Sequence, residues 1–445
     1  MKYKKNLFSL IFFFCSIILY LNVPSYNSHK DIDSSAYTSN ALRFKQANSF
    51  INTSNFNDIP YYSLGYAFFI GLVYKVFGVK DFFIIWIQFL LALVTGFLIF
   101  RITKNIFGKT VGLISFFLFS INLGFLVFTQ FILTEILLVF LLTFFVDQFV
   151  FFINNQKFIN LMLSALFLGI SIAVKPAALY FIFLLIPLIF FFSKKRKFFT
   201  EFDWRIGLKN IFIFSLFFYL PVIGYMCFNK STFNQFRVGG LANENLYLYF
   251  FPKVLAKQNQ TNIKKETQYL SSLLTGNKLE NNSWAKIQSL FFKKLKKNPF
   301  IFIKVWLTNV TKTFLGLYTT NLKVLLEVTT RGGDVSFFKT RGSLFFRIKD
   351  YISEGTNSLI IKIIGFLEFI YSFLRYIFCL IAILFLIFKK KWNWISFFIL
   401  YIFYFSFITG HDGCARFRMM FESVLIILTA EGIFLCFGYR KIMGK

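Results

Sequence analysis

Uninterrupted apolar runs of about 17–23 residues recur along most of the chain, and this limits the fold more than any other feature. A water-soluble fold of 445 residues needs more polar surface than 15% charged residues provide, and 57% of the side chains here are hydrophobic. The runs lack the period-two alternation of barrel strands. The predicted class is therefore an all-α polytopic membrane protein with about ten transmembrane helices.

The net charge of +30 does not point to nucleic acid, because many of the basic residues sit in short clusters between apolar runs. Such clusters mark cytoplasmic loops and attract anionic lipid headgroups. The five cysteines are scattered without metal-type or CxxC spacing, so no disulfide framework is predicted. The N-terminal Met-Lys-Tyr-Lys-Lys plus apolar stretch has the look of a signal peptide. Without a small-x-small cleavage site near Asn22–Ser25, and with further spans following, it reads as an uncleaved first helix.

Lys2, Lys4 and Lys5 place the N-terminus in the cytoplasm, and the first helix covers 7–23. The first outer loop follows (24–81); within it Tyr61 to Gly78 reads as an interfacial helix, because a span there would put Arg101, Lys104 and Lys109 outside. Further spans fall at 82–100, 110–128, 133–152, 158–174, 177–193 and 209–228, giving an N-terminal transmembrane module of residues 1–228. Residues 229–365 form an extracytoplasmic region in which Phe300 to Leu317 is predicted to lie in the interface. The C-terminal module, 366–445, carries spans at 366–388, 394–410 and 418–437. Lys157, Lys194 to Lys197, Lys389 to Lys391, Arg440 and Lys441 all fall inside, so both termini are cytoplasmic.

This threading brings ionisable residues from distant parts of the chain to one outer face: Asp31 and Asp33 with Tyr37, Glu135, Lys175, and His411-Asp412 with Arg416 and Arg418. Charges at the membrane edge are costly and mark function. Each also has a structural reading. Asp31 and Asp33 suit a solvated loop; Glu135 complements a helix dipole; Lys175 can snorkel; Arg416 and Arg418 can anchor lipid phosphates. Their convergence is what favours a site.

In this order, the chain resembles the GT-C membrane glycosyltransferases, most closely bacterial members of glycosyltransferase family 39, which includes protein O-mannosyltransferase-like and aminoarabinose-transferase-like enzymes. The resemblance is carried by Asp33-Ser34-Ser35-Ala36-Tyr37, Pro60-Tyr61-Tyr62-Ser63-Leu64-Gly65-Tyr66, Ile106-Phe107-Gly108-Lys109 and Leu133-Thr134-Glu135. Lys175-Pro176, Lys297-Asn298-Pro299 and Arg416-Phe417-Arg418 continue it towards the C-terminus. Two departures stand out: Ser34 in place of a second acid, and Met419-Met420 in place of a proline. The stretch from Gly239-Gly240 through Asn243 to Tyr249 also resembles a motif of bacterial members, with no role attached.

The resemblance implies a sugar donor carried on polyprenyl phosphate, an acceptor hydroxyl on a lipid, glycan or protein, and a site on the extracytoplasmic face of a bacterial plasma membrane. The residue types suit that chemistry. A leaving phosphate gains negative charge, which Lys175, Arg416 and Arg418 can stabilise in a dry site. A carboxylate must take the acceptor's proton; Asp33 is nominated, with Glu135 second, for an inverting transfer. Asp31, Tyr37 and His411 are assigned to substrate contact. Asp31-Ile32-Asp33 is also an Asp-x-Asp pattern; with Glu135 it forms a conditional site for Mg or Mn, and the reading requires no cofactor. The rivals are a polyprenyl-linked lipid flippase or transporter, and an O-antigen ligase or polymerase. A transporter places its site near the midplane, often between repeats, and no repeat is evident here.

Overall fold

The computed structural model describes residues 2–21, 23, 33–47, 63–193, 203–239, 241–274, 281–326, 346, 352–353 and 358–438. The described residues are helical with no strand. The N-terminal half contains α1 (Lys2–Leu21), α2 (Ser34–Ala47), α3 (Leu64–Phe77), α4 (Asp81–Phe107), α5 (Lys109–Ser120), α6 (Leu123–Gln130), α7 (Glu135–Asn155), α8 (Phe158–Val174), α9 (Ile182–Phe192) and α10 (Trp204–Phe233). Short helices α11 (Leu241–Glu244), α12 (Phe251–Asn259), α13 (Ile263–Ser272) and α14 (Asn281–Lys297) follow. They lead to α15 (Pro299–Leu315), α16 (Thr319–Leu325), α17 (Leu359–Phe388), α18 (Trp392–Ile408) and α19 (Ala415–Ile433).

All ten predicted spans are helical, but they are not equivalent. Six helices among the described residues are long and apolar enough to cross a bilayer: 81–107, 135–155, 204–233, 359–388, 392–411 and 415–438. The predicted span 110–128 is a broken pair, with α5 and α6 meeting at 47°. Asn122 explains the break, since its side-chain oxygen accepts the Phe125 N–H at 3.3 Å and starts a new helix. The predicted spans at 7–23, 158–174 and 177–193 are shorter apolar helices, the last entered through a 3-10 turn at Pro176–Phe181. By length and composition alone the described residues thus give six full-length spans, or eight with each bent pair taken as one, and four shorter apolar helices besides, which leaves the count of ten unconfirmed. The second bent pair joins α15 to α16 at 72°, so the predicted interfacial segment 300–317 is half of an element that could itself cross. The interfacial reading of 61–78 is consistent with α3, whose 14 residues reach only about 21 Å.

Burial separates the spans into two classes. In α7 and α19, 72% of the apolar window is buried, against 22% in α10 and 28% in α17. The first two form the centre of the bundle, and the others present Leu216, Leu220, Phe373 and Leu380 outward. Packing is dense and aromatic, as in Phe144 stacked on Phe167 at 3.9 Å and Phe149 against Phe397 at 4.9 Å. In a bilayer such contacts replace the hydrophobic drive that joins helices in water. A separate small core, with Tyr247, Phe251, Ile287, Phe291 and Phe302, joins α12, α14 and α15.

The ends of the bundle differ in charge. Arg101 near the end of α4 pairs with Asp147 in the far half of α7, and Lys104, Lys109, Lys157 and Lys389 to Lys391 lie at the connections of that end. The start of α7, the end of α8 and the start of α19 meet at the opposite end. Lys194 to Lys197, Arg440 and Lys441 lie outside the described residues.

Candidate active site

At the end away from the basic connections, four charged side chains from four parts of the chain form one network. Arg416 is its centre. Its Nη1 donates to Asp33 Oδ2 at 2.6 Å and its Nε to Glu135 Oε1 at 2.5 Å. Lys175 Nζ approaches the same Glu135 oxygen at 3.4 Å. Two carboxylates thus meet two cations, and the group is neutral.

Each position follows from local chain geometry. Asp33 directly precedes α2, and Glu135 is the first residue of α7. Lys175 ends α8 in an extended conformation (φ −153°) imposed by the following Pro176, which turns its side chain out of the helix. Arg416 lies in the first turn of α19, after a turn in which Gly413 takes φ +77°. A β-carbon on Gly413 would stand 2.2 Å from the Asn309 carbonyl oxygen, so only glycine lets α15 pack this closely against the site.

Exposure divides the roles. Glu135 is 2% exposed, whereas the Asp33 and Lys175 side chains keep 21% and 24% of their surface. Glu135 is the buried anchor for the two cations; Asp33 and Lys175 stay partly exposed. Tyr37, expected to contact substrate, is buried edge-on against Tyr66 at 5.2 Å. Tyr66 donates to Gln88 Oε1 at 2.7 Å, and Gln88 Nε2 donates to the Phe131 carbonyl at 2.9 Å. This chain runs from α2 to the segment just before Glu135 and links Tyr37 to the site.

His411 sits at the rim, with Nδ1 3.0 Å from the Ile408 carbonyl and its ring 5.3 Å from Phe417. Lys175 Nζ lies 4.9 Å from the centre of the Phe417 ring, so the aromatic of the Arg-Phe-Arg element lies between lysine and histidine. Asp412 accepts from Lys253 Nζ at 2.6 Å, which ties α12 to the α18–α19 turn. Burial opposes ionisation of Asp412, but Lys253 outweighs it and holds the carboxyl below its ordinary pKa. Asn309 donates to the Gly410 carbonyl at 2.9 Å. Lys253 and Asn309 were not anticipated; they lie in the long segment, where no motif marks them.

Arg418 departs from the expected role. Two residues along a helix turn the side chain by about 200°, so Arg416 and Arg418 cannot share a face. Arg418 is fully buried and donates to the carbonyls of Phe314 and Gly316 at 2.8 and 2.6 Å, and to Glu422 at 3.2 Å. Arg375 bonds the same Glu422 at 2.5 Å, while Glu368 accepts the Tyr318 and Thr319 N–H groups at 2.6 and 2.8 Å. This second cluster satisfies the backbone groups freed at the α15–α16 break.

Asp31 lies outside the described residues. Of the conditional metal set, Asp33 and Glu135 both point their oxygens at Arg416, and no group of three His, Cys, Asp or Glu suited to a metal occurs among the described residues. Those donors do not fit a divalent ion, since the guanidinium already fills the space between them.

Residues 62–231 match a family model described as dolichyl-phosphate-mannose-protein mannosyltransferase. That stretch carries Glu135 and Lys175, whereas Asp33 and Arg416 lie outside it. No curated protein matches the chain in sequence. In structure it is similar to an archaeal oligosaccharyltransferase, AglB from Archaeoglobus fulgidus, in complex with an inhibitory peptide and a dolichol-phosphate. The TM-score is 0.57 at 12% identity, covering 100% of this chain and 52% of that one. The Archaeoglobus fulgidus oligosaccharyltransferase tethered to an acceptor peptide gives a TM-score of 0.55 at 12% identity, covering 99% and 50%. The chain thus has the GT-C fold of membrane glycosyltransferases and spans about half the length of these structural relatives.

Proposed function

We propose that this multi-pass membrane protein is an inverting glycosyltransferase that moves a sugar from a polyprenyl-phosphate donor to an acceptor hydroxyl at the extracytoplasmic face. The observation that carries the reading is Arg416 bridging Asp33 and Glu135 beside Lys175, at the end of the bundle away from the basic connections. Read by the positive-inside rule, that end is extracytoplasmic and both termini are cytoplasmic; the family resemblance supports a bacterial plasma membrane. In this reading residues 1–228 and 366–445 supply the membrane modules, and 229–365 shape the acceptor side.

The arrangement suits a displacement at an anomeric carbon. Lys175, partly exposed, receives the donor phosphate. Asp33 takes the proton of the attacking acceptor hydroxyl as the new glycosidic bond forms on the face opposite the departing phosphate. Once protonated, Asp33 no longer balances Arg416, and the guanidinium becomes available to the phosphate in the step in which that group gains charge. Glu135, buried, keeps both cations in place and takes no proton. His411 lies where its Nε2 can face a donor group. An AglB structure contains dolichol-phosphate, and that supports a lipid phosphate as the donor's carrier here.

A transporter reading would draw on the two bent helix pairs, since broken helices often frame a substrate site. In this chain Asn122, Glu368 and Arg418 fill those breaks. The broken ends are spent on the fold.

The test is release of free polyprenyl phosphate from a panel of polyprenyl-phosphate sugars by the protein in nanodiscs, with Asp33→Asn beside wild type. Turnover that collapses in the folded variant supports the reading. Turnover unchanged by the substitution removes Asp33 as base, and no turnover with any donor and acceptor removes the transferase.

A further inference from the structure

Almost every buried or half-buried cation described above has a carboxylate beside it. Arg416 has Asp33 and Glu135, Lys175 has Glu135, Lys253 has Asp412, Arg101 has Asp147, and Arg375 and Arg418 share Glu422. Arg237 does not. It follows the left-handed turn at Asn234 (φ 56°) that ends α10, and its Nε and Nη2 are shielded from solvent with no hydrogen-bond partner. Among the described residues no salt bridge reaches it, and burial pushes its guanidinium pKa down. A half-buried guanidinium left in this state is destabilising unless something outside the chain completes it.

The surroundings show what that something is. Asn229, 1% exposed, donates its amide to the Arg237 carbonyl at 2.7 Å, and its Oδ1 is buried without a partner. Ser63, 4% exposed, also has an unpartnered hydroxyl, 3.7 Å from where a β-carbon on Gly239 would stand. Tyr225 fixes this corner by accepting the Leu64 N–H at 2.9 Å. Four polar atoms without a hydrogen bond of normal geometry therefore sit on chain segments that touch, with the Ser63 and Asn229 side chains beside the Tyr225 hydroxyl: guanidinium and hydroxyl donors, plus one amide acceptor. This is the run leading into Gly239-Gly240.

Its position relative to the active site follows from α3. A β-carbon on Gly65 would stand 2.5 Å from the Ala173 carbonyl, so the start of α3 rests directly against the end of α8 that presents Lys175. Ser63 and Arg237 lie on the neighbouring flank. Outside them the surface is apolar: Phe236 is 55% exposed, and Ile223, Phe228, Phe68 and Leu72 are exposed along α10 and α3. An anion reaching this corner comes with an apolar tail.

We propose that Arg237, with Ser63 and Asn229, forms a binding site for a lipid-borne phosphate on the lipid-facing flank of α3, next to the Lys175 end of the active site. Arg237 supplies charged donors to the phosphate, Ser63 a hydroxyl, and Asn229 an acceptor for a hydroxyl on the same ligand. Two lipids carry this chemistry: polyprenyl phosphate, which rests on the transferase reading above, and an anionic phospholipid headgroup, which does not.

The test uses the full chain in nanodiscs of neutral lipid, titrated with polyprenyl phosphate or with phosphatidylglycerol, and retained lipid is counted by native mass spectrometry. Wild type, Arg237→Gln and Arg237→Lys are compared. The expected result is binding weakened about tenfold or more in Arg237→Gln and partly restored in Arg237→Lys. Preference for polyprenyl phosphate identifies a substrate or product site; preference for phosphatidylglycerol identifies a phospholipid site, and either supports the proposal. The melting temperature should stay the same or rise in Arg237→Gln, because an uncompensated charge has gone. Arg237→Gln binding both lipids like wild type overturns the proposal, as does a wild type that binds neither. Arg237-dependent binding without any sugar transfer leaves this site standing and removes the transferase.

Discussion

Two clusters of buried charge share helix α19, two residues apart, and they are built from the same parts. The outer one joins Asp33, Glu135, Lys175 and Arg416; the inner one joins Glu368, Arg375, Arg418 and Glu422. Each holds two acids and two bases. The difference lies in what else they touch. The inner arginines and glutamates close on backbone groups at a helix break, and their side chains are 0–6% exposed. The outer cluster leaves Asp33 and Lys175 a fifth to a quarter exposed. A neutral charge cluster in a membrane bundle is therefore not a site by virtue of its charges. It becomes one where some of its members still face outward.

Removing one acid from each cluster should have opposite effects on rate and stability. Asp33→Asn should reduce turnover by about 10²–10⁴-fold, the usual range for losing a general base. Its unfolding midpoint should move little, because a partly exposed ion pair contributes about 1 kcal/mol or less. Glu422→Ala should do the reverse. It strands the fully buried Arg375 and takes one partner from Arg418, and should destabilise the protein by about 3–5 kcal/mol, seen as a lower melting temperature and poor recovery from detergent. If Glu422→Ala folds normally and is merely inactive, the inner cluster has a functional role that the comparison denies it.

A finer test exchanges the arginines. Arg416→Lys keeps the charge but cannot bridge two carboxylates, so turnover should fall about 10- to 100-fold with folding preserved. Arg418→Lys cannot reach the Phe314 and Gly316 carbonyls together, so the loss should appear in thermal stability before it appears in rate. Equal effects of the two substitutions on rate would merge the clusters into one unit.

Much of the outer cluster was legible in the sequence because a membrane leaves few ionisable residues to choose among. Asp33, Glu135, Lys175 and Arg416 stand out against apolar runs, and basic loops orient them to one end. Arg418 was equally visible and wrongly grouped, although its spacing from Arg416 already placed it on another face of a helix. The breaks were half legible: Asn122 is a helix-starting residue inside an apolar run, whereas the 72° turn after Gly316 depends on Glu368 and Arg418 from distant helices. Lys253 and Asn309 left no signal at all. Their roles come from where the long segment folds back over the α18–α19 turn, and tertiary contacts of this kind have no local pattern.

The weakest expected effect concerns that fold-back, and it extends the comparison to the rim. Lys253 and Asp412 join at 2.6 Å, but the Asp412 side chain is 42% exposed, so the pair resembles a surface bridge more than either cluster. Asp412 has its pKa held below the ordinary value, so its contribution is fully present above the unfolded carboxylate pKa of about 3.9 and is lost only as pH falls through the lower folded value. Hydrogen exchange of the α12 backbone, corrected for its intrinsic pH dependence, should therefore be flat from neutral pH to about pH 5 and rise only below about pH 4. Lys253→Met should speed that exchange at neutral pH by about two- to fivefold, the size expected of an exposed pair, and should remove the acid step. A larger change would mean that the Lys253 bridge holds the outer segment over the site and behaves like the buried clusters beneath it.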